Sequence, residues 1–192
     1  MRTGVFIVVC VILSFVACKS GTEPGPSYNF YPLSIGSHWS YKGDVSYTLT
    51  VIGDTLVNAK HYAVIEKSTD KTVSFLRRDG NSIYTLHPNL SNLLQEYLYV
   101  EGRSGAKGSY SYLTKGIVTN VTYSVDRFGI RDTVNGVNYP SVIVEHIRSV
   151  IQYKDTSFSI TEGDYYFADG VGLINKLVSG DATVELLSYE IK

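Results

Sequence analysis

Gly102, Gly105 and Gly108 surround Lys107 and precede Ser109, the residue types with which a loop wraps phosphate oxygens. The order is Lys-Gly-Ser where a phosphate loop has Gly-Lys-Ser, and no strand-to-helix frame encloses it, so the stretch reads as a mobile loop over Glu101–Ser109. Gly170-Val171-Gly172-Leu173-Ile174-Asn175 opens like a dinucleotide fingerprint but lacks the third glycine and the helix it should begin, and it reads as a tight turn into a strand. His38, His61, His87 and His146 are scattered without metal-ligand spacing, and Glu145 and His146, adjacent on a strand, point to opposite faces. Glu162, Asp164 and Asp169 cluster around Gly163 and Gly170 and could offer oxygens to Ca²⁺, but they lack the regular loop spacing and read as solvated turns. No G-x-S-x-G elbow presents a serine nucleophile. The expectation is therefore no catalytic residue, no metal ligand and no cofactor.

One side chain does carry a chemical assignment. Arg2 and the amino terminus precede an apolar run, Val5 to Ala17, that suits a secretory signal but is shorter than the ~18 residues of a spanning helix. Phe15-Val16-Ala17-Cys18 resembles the bacterial lipobox, in which a small residue precedes the cysteine whose sulfur takes a diacylglycerol; Phe15 stands where a leucine-like residue is usual. Residues 1–17 are thus expected to be a signal peptide and Cys18 the site of lipid attachment. Acyl chains contribute ~0.8 kcal/mol per buried CH₂, so two or three of them hold a protein durably at a membrane. Lys19 after the cysteine, in place of aspartate, points to the outer membrane by the sorting habit of enteric bacteria. Residues 18–27 are small, polar and proline-rich, the composition of a flexible tether.

Removal of residues 1–17 takes Arg2 from the chain's 17 basic side chains and leaves its 18 acidic ones, a near-balance that excludes an electrostatic nucleic-acid binder. Of the two cysteines only Cys18 would remain, so residues 28–192, read as a single β-rich domain, must hold together without an internal disulfide.

That domain has to position anything functional on strands. Pro32 and Gly36 mark a turn, after which Trp39 and Tyr41 fall two apart on one face. The solitary tryptophan reads as a core plug, with an aromatic platform for a sugar or lipid as the other reading. Tyr47, Leu49 and Val51 alternate with Thr48 and Thr50 until Gly53-Asp54 stops the run. Asp79-Gly80-Asn81 between β-rich runs predicts a hairpin with a type I′ turn. Asn89 to Val100 predicts a loop or one helical turn and then a strand. Further strands are expected over 117–125, 141–153, 157–161, 172–178 and 183–191, with turns at Asn135-Gly136 and Ser179-Gly180-Asp181. Asp54 to Glu66 and Asp132 to Glu145 form a weak internal repeat, as two similar hairpins would. The 16 tyrosines suit sheet faces and amphipathic surfaces.

Tyr31-Pro32-Leu33-x-x-Gly36-x-x-Trp39-x-Tyr41, the turn Asp132-Thr133-Val134-Asn135-Gly136, and Tyr166 to Ile174 with its Gly170-Val171-Gly172-Leu173-Ile174 core before Glu185 to Tyr189 together resemble a broad group of bacterial envelope lipoproteins to which no reaction is assigned. The resemblance implies the curved, partly open barrel of periplasmic lipoprotein carriers, a cup around acyl chains. The fold class expected is all-β, a curved antiparallel sheet or partly open β-barrel with at most one short helix. The function expected is a membrane-anchored binding or structural lipoprotein for an apolar or glycan ligand, with an envelope hydrolase, its site assembled only by the fold, as the alternative.

Overall fold

Twelve segments carry the alternation and β-branched or aromatic content of half-buried strands, and the computed structural model, which describes residues 27–89, 91, 93–114, 117–152, 158–179 and 183–192, makes each of them a strand. They are β1 (His38–Lys42), β2 (Tyr47–Val57), β3 (Lys60–Lys67), β4 (Val73–Asp79), β5 (Ser82–Pro88), β6 (Leu94–Val100), β7 (Lys107–Thr114), β8 (Ile117–Val134), β9 (Val137–Gln152), β10 (Phe158–Ala168), β11 (Gly172–Val178) and β12 (Val184–Glu190). No helix occurs among the described residues. All pairings are antiparallel, and the sheet runs β6-β5-β4-β3-β2-β1-β12-β11-β10-β9-β8-β7. Each strand pairs with its neighbours in sequence, β1 also pairs with β12, and β6 and β7 alone fail to pair. The result is an up-and-down barrel, nearly closed, with one unsealed seam.

Because a meander turns alternately at its two ends, the turns after β2, β4, β6, β8 and β10 share one mouth with the segment that leads into β1. That segment closes this mouth. Tyr28 N donates to Asn81 Oδ1 in the β4–β5 turn at 3.0 Å, and Asn29 N donates to Asp169 Oδ1 in the β10–β11 turn at 2.6 Å. The two turns lie half the sheet apart, so the segment crosses the opening and drives Phe30 and Tyr31 inward, where both are buried. Tyr31 packs on Trp39 with ring centroids 4.9 Å apart, and Phe30 meets Phe128 edge-on at 5.9 Å. Trp39 is 0% exposed and donates Nε1–H to Val171 O at 2.6 Å, so it is the core plug. Gly172 lies beside both rings, Trp39 and Tyr31, at φ +114, a backbone conformation that residues with a side chain rarely adopt.

Several local expectations are corrected. Gly53-Asp54 does not end β2; the register shifts between Val51 and Gly53, so Ile52 bulges and pairing resumes as far as Val57. The β4–β5 hairpin exists, but Asp79 pairs with Ser82 and the turn residues are Gly80 and Asn81, of which only Gly80 has positive φ (59°), the pattern of type II′. Leu94–Val100 is the expected strand, with no helical turn among the described residues before it; residues 90 and 92 lie outside them. The loop over Glu101–Ser109 is shorter and better tied than expected, because Lys107 to Ser109 belong to β7 and Glu101 is buried. Strands β8, β9 and β10 run well past their expected limits. Bulges let β8 continue through Asp126 to Gly129, and Pro140 falls where β9 needs no amide hydrogen bond, since the neighbouring pairings are Ile130↔Val142 and Asp132↔Tyr139 and β10 ends opposite Val142. The repeat is indeed two hairpins, turning at Asn58-Ala59 (φ 49° and 59°) and Asn135-Gly136 (φ 49° and 77°), both with the two positive φ values of type I′. The turn expected at 179–181 lies outside the described residues beyond Ser179, as do residues 153 and 157 at the ends of two expected strands.

Candidate functional site

Cys18 and the whole of residues 1–26 lie outside the described residues. The other residues that drew attention in the sequence are dispersed by the fold. His38 lies 4.0 Å from Glu190 and His61 lies 3.6 Å from Asp54, both at the surface. Asp169 anchors the amino-terminal segment, whereas Glu162 and Asp164 sit on β10. Gly102 packs so tightly that a Cβ would meet Asn81 O at 2.2 Å, and Gly108 lies under the Tyr123 ring. Neither position cradles an anion. Among the described residues no three His, Cys, Asp or Glu side chains converge as metal ligands.

On the outer face, cross-strand pairing aligns Ser124 (β8), His146 (β9) and Asp164 (β10) in one row. His146 Nδ1 is 2.8 Å from Asp164 Oδ1, the relation that orients a catalytic base. The rest of the row is committed elsewhere. His146 Nε2 is 3.1 Å from Glu162 Oε1, and Ser124 Oγ donates to Asp126 at 2.7 Å. The hydrogen bond to Asp164, with Glu162 behind it, raises the His146 pKa, so the ring is drawn toward the imidazolium, which cannot accept a proton. This is an ion-pair cluster between open surface grooves, extended by Arg148 at 3.5 Å from Glu162.

The inner face is different in kind. Residues directly paired across strands share a face, and the cavity-lining pairs Leu76↔Thr85 and Ile65↔Ser74 identify the lumen. Beyond the plug a cavity of about 270 Å³ remains, lined by Tyr31, Leu49, Ile65, Leu76 and Tyr99 with Ser74, Thr85 and His87 as polar groups. Burial lowers the His87 pKa and favours the neutral ring. His87 also borders the seam, where it stacks on Tyr112 with centroids 4.3 Å apart at 16°. Tyr97 lies 5.3 Å from Tyr110 and 6.0 Å from Tyr112. Rings from β5, β6 and β7 thus bridge the gap where backbone hydrogen bonds are missing.

At the plugged end of the seam two carboxyls meet. Glu101, which follows β6, is pushed up by burial, but the Arg103 fork at 2.8 and 2.9 Å and the Ser82 hydroxyl at 3.1 Å outweigh that and hold it below the usual range. Glu145 on β9 is 1% exposed and has no such partner. Burial raises its pKa to about 8, a backbone N–H of Glu101 opposes the shift, and the Glu101 charge adds to it. Glu145 Oε2 has no hydrogen-bond partner among the described residues. Glu145 is therefore a neutral acid at neutral pH, next to a carboxylate that stays ionised. The opposite orientation of Glu145 and His146 was legible in the strand period. The lumen itself was not, although Ile143, Glu145 and Ile147 at alternate positions were a signal that this glutamate shares a buried face.

No protein-family model matches the chain. No curated protein matches it. Among solved structures it is similar to the crystal structure of a candidate lipoprotein from Parabacteroides distasonis, at a TM-score of 0.48 and 9% identity, over 86% of this chain and 100% of that chain. So slight a likeness transfers no property from one protein to the other.

Proposed function

We propose that this chain is an envelope lipoprotein whose barrel is a binding module for a small amphipathic molecule. The observation that carries the binding reading is the luminal cavity, about 270 Å³, with apolar walls and three polar side chains. Ligand sites are commonly ~300–1,000 Å³ with a few placed polar groups, so this one sits at the small end. The aromatic plug fills the lumen that a cup for long acyl chains would leave open, and this favours a compact ligand over a whole lipid.

The anchoring reading rests on the lipobox-like Phe15-Val16-Ala17-Cys18. Residues 1–17 direct export, Cys18 carries the lipid, residues 18–27 are the tether and residues 28–192 form the barrel. The tether enters at the plugged mouth, where Arg78 reaches Ser27 Oγ at 3.3 Å. The residues between Cys18 and Ser27 span at most ~3.3–3.6 Å each, which keeps the plugged mouth within roughly 30 Å of the membrane. The partner implied is the membrane, at the outer membrane by the Lys19 argument, and no nucleic acid.

Two measurements test these parts separately. Labelling with a fatty-acid analogue should mark the wild type and not Cys18→Ser; an unlabelled wild type removes the anchor. Native mass spectrometry of the gently purified protein, paired with melting in the presence of small amphiphiles, tests the cavity. If no small molecule is retained and no small amphiphile raises Tm, the barrel is a scaffold.

A further inference from the structure

The charges facing the lumen bear on which small molecules it takes. Lys67 pairs directly with Leu49 and follows Ile65 by two residues, and both of those line the cavity. Its side chain therefore shares their face. Lys67 Nζ lies 4.7 Å from the centroid of the Tyr47 ring, which stacks at 5.1 Å on the buried Tyr41. On the other wall Lys176 pairs with Tyr165 and holds its Nζ 5.3 Å from that ring.

Neither ammonium is in an ion pair among the described residues, in contrast to Lys60 and Arg77, which pair with Glu96, Lys71 with Glu66, and Arg103 with Glu101. Asp70, whose carboxylate feels the Lys67 charge, accepts instead from Thr72 Oγ1 at 2.6 Å and Thr72 N at 3.1 Å. The carboxyl that shares the inner face, Glu145 opposite Tyr165, is the neutral one. Lys67 and Lys176 are half-buried residues whose ammonium groups lie over ring faces, and an entering anion would gain a charge-assisted hydrogen bond there without first displacing a protein carboxylate.

We propose, building on the binding reading above, that the ligand is a compact organic monocarboxylate, with its apolar body in the cavity between Tyr31, Leu76 and Tyr99 and its carboxylate at Lys67. An amine of the same shape would face Lys67 across the same space and be repelled. A neutral amide would keep the apolar contacts and lose the charge-assisted bond.

The full chain in lipid nanodiscs, titrated calorimetrically with 3-phenylpropionate, 3-phenylpropionamide and 3-phenylpropylamine, tests this. The acid should bind at least tenfold more tightly than the amide, the amine should not bind, and added salt should weaken the acid alone. Lys67→Gln should bring the acid to the affinity of the amide and leave the amide unchanged, and Lys67→Arg should restore most of the difference. Leu76→Trp, which fills the cavity, should abolish both, with an unchanged far-ultraviolet circular dichroism spectrum as the check on folding. If acid and amide bind equally, or if Lys67→Gln leaves the acid unaffected, the charge inference is overturned while the cavity reading stands. If none of the three compounds binds the wild type, both are overturned.

Discussion

The barrel is closed at one junction and open at another, and the two are built from opposite materials. Strands β1 and β12, from the two ends of the described chain, are joined by a ladder from His38↔Glu190 to Lys42↔Glu185, interrupted by a single bulge. Strands β6 and β7 follow one another in sequence and share no ladder at all. At the first junction the inward rings are tied to a third strand or its turn: Trp39 Nε1 donates to Val171 O and Tyr41 Oη donates to Leu173 O at 3.1 Å. At the second, Tyr97, Tyr110, Tyr112 and His87 meet one another ring to ring across the gap. Proximity in sequence makes a hairpin cheap in loop entropy, but the short connection after β6 is committed to burying Glu101 and packing Gly102 against Asn81. The chain's ends close because Trp39 and Tyr41 have a deep core to enter. The seam stays open because ring contacts replace the ladder.

The largest effect expected from this contrast is at the closed junction. Trp39→Ala removes a fully buried indole and its hydrogen bond and should cost ~3–5 kcal/mol in urea melts. A smaller loss than that of any single seam ring would reverse the contrast.

Next is Glu145. Its folded pKa is raised from 4.5 to about 8, so the folded state binds the extra proton between those values. The stability this represents is fully present below pH 4.5 and is lost as pH rises toward 8. Glu145→Gln does not titrate and should flatten that dependence, so that the variant gains on the wild type by on the order of a few kcal/mol between pH 5 and pH 9. Parallel pH profiles for the two proteins would mean that Glu145 is ionised throughout.

Tyr112→Ala, which uncovers His87, should cost ~1–2 kcal/mol, since its rings contribute packing without a ladder beneath them. The smallest difference expected is dynamic. Amides on the facing edges of β6 and β7 should exchange at least tenfold faster than those of the β1/β12 ladder, and equal protection would mean that the seam is sealed in solution.

Which parts of this were legible beforehand depended on range. Alternation marked most strands, the turn at Asn135-Gly136 was announced by its residues, and Trp39 between a turn and a second aromatic two positions on was recognisable as core. Those are local properties of period two and of φ > 0. The far ends of β8 and β10 were not legible, because bulges let β8 run through Asp126 and Gly129, and β10 runs unbroken through Gly163, where the Leu177 backbone packs too closely for a side chain, although these residues alone signal a stop. The long-range choices were hidden for a different reason. Whether the first strand pairs with the last, whether β6 pairs with β7, and whether Lys67 and Glu145 face water or a lumen depend on how the sheet closes. A strand's alternation specifies two faces without saying which is inside. The all-β character and the lack of any cysteine after Cys18 belong to the sequence. The seam, the plug and the charged lumen belong to the closure, since only there do residues far apart in the chain compete for the same enclosed volume.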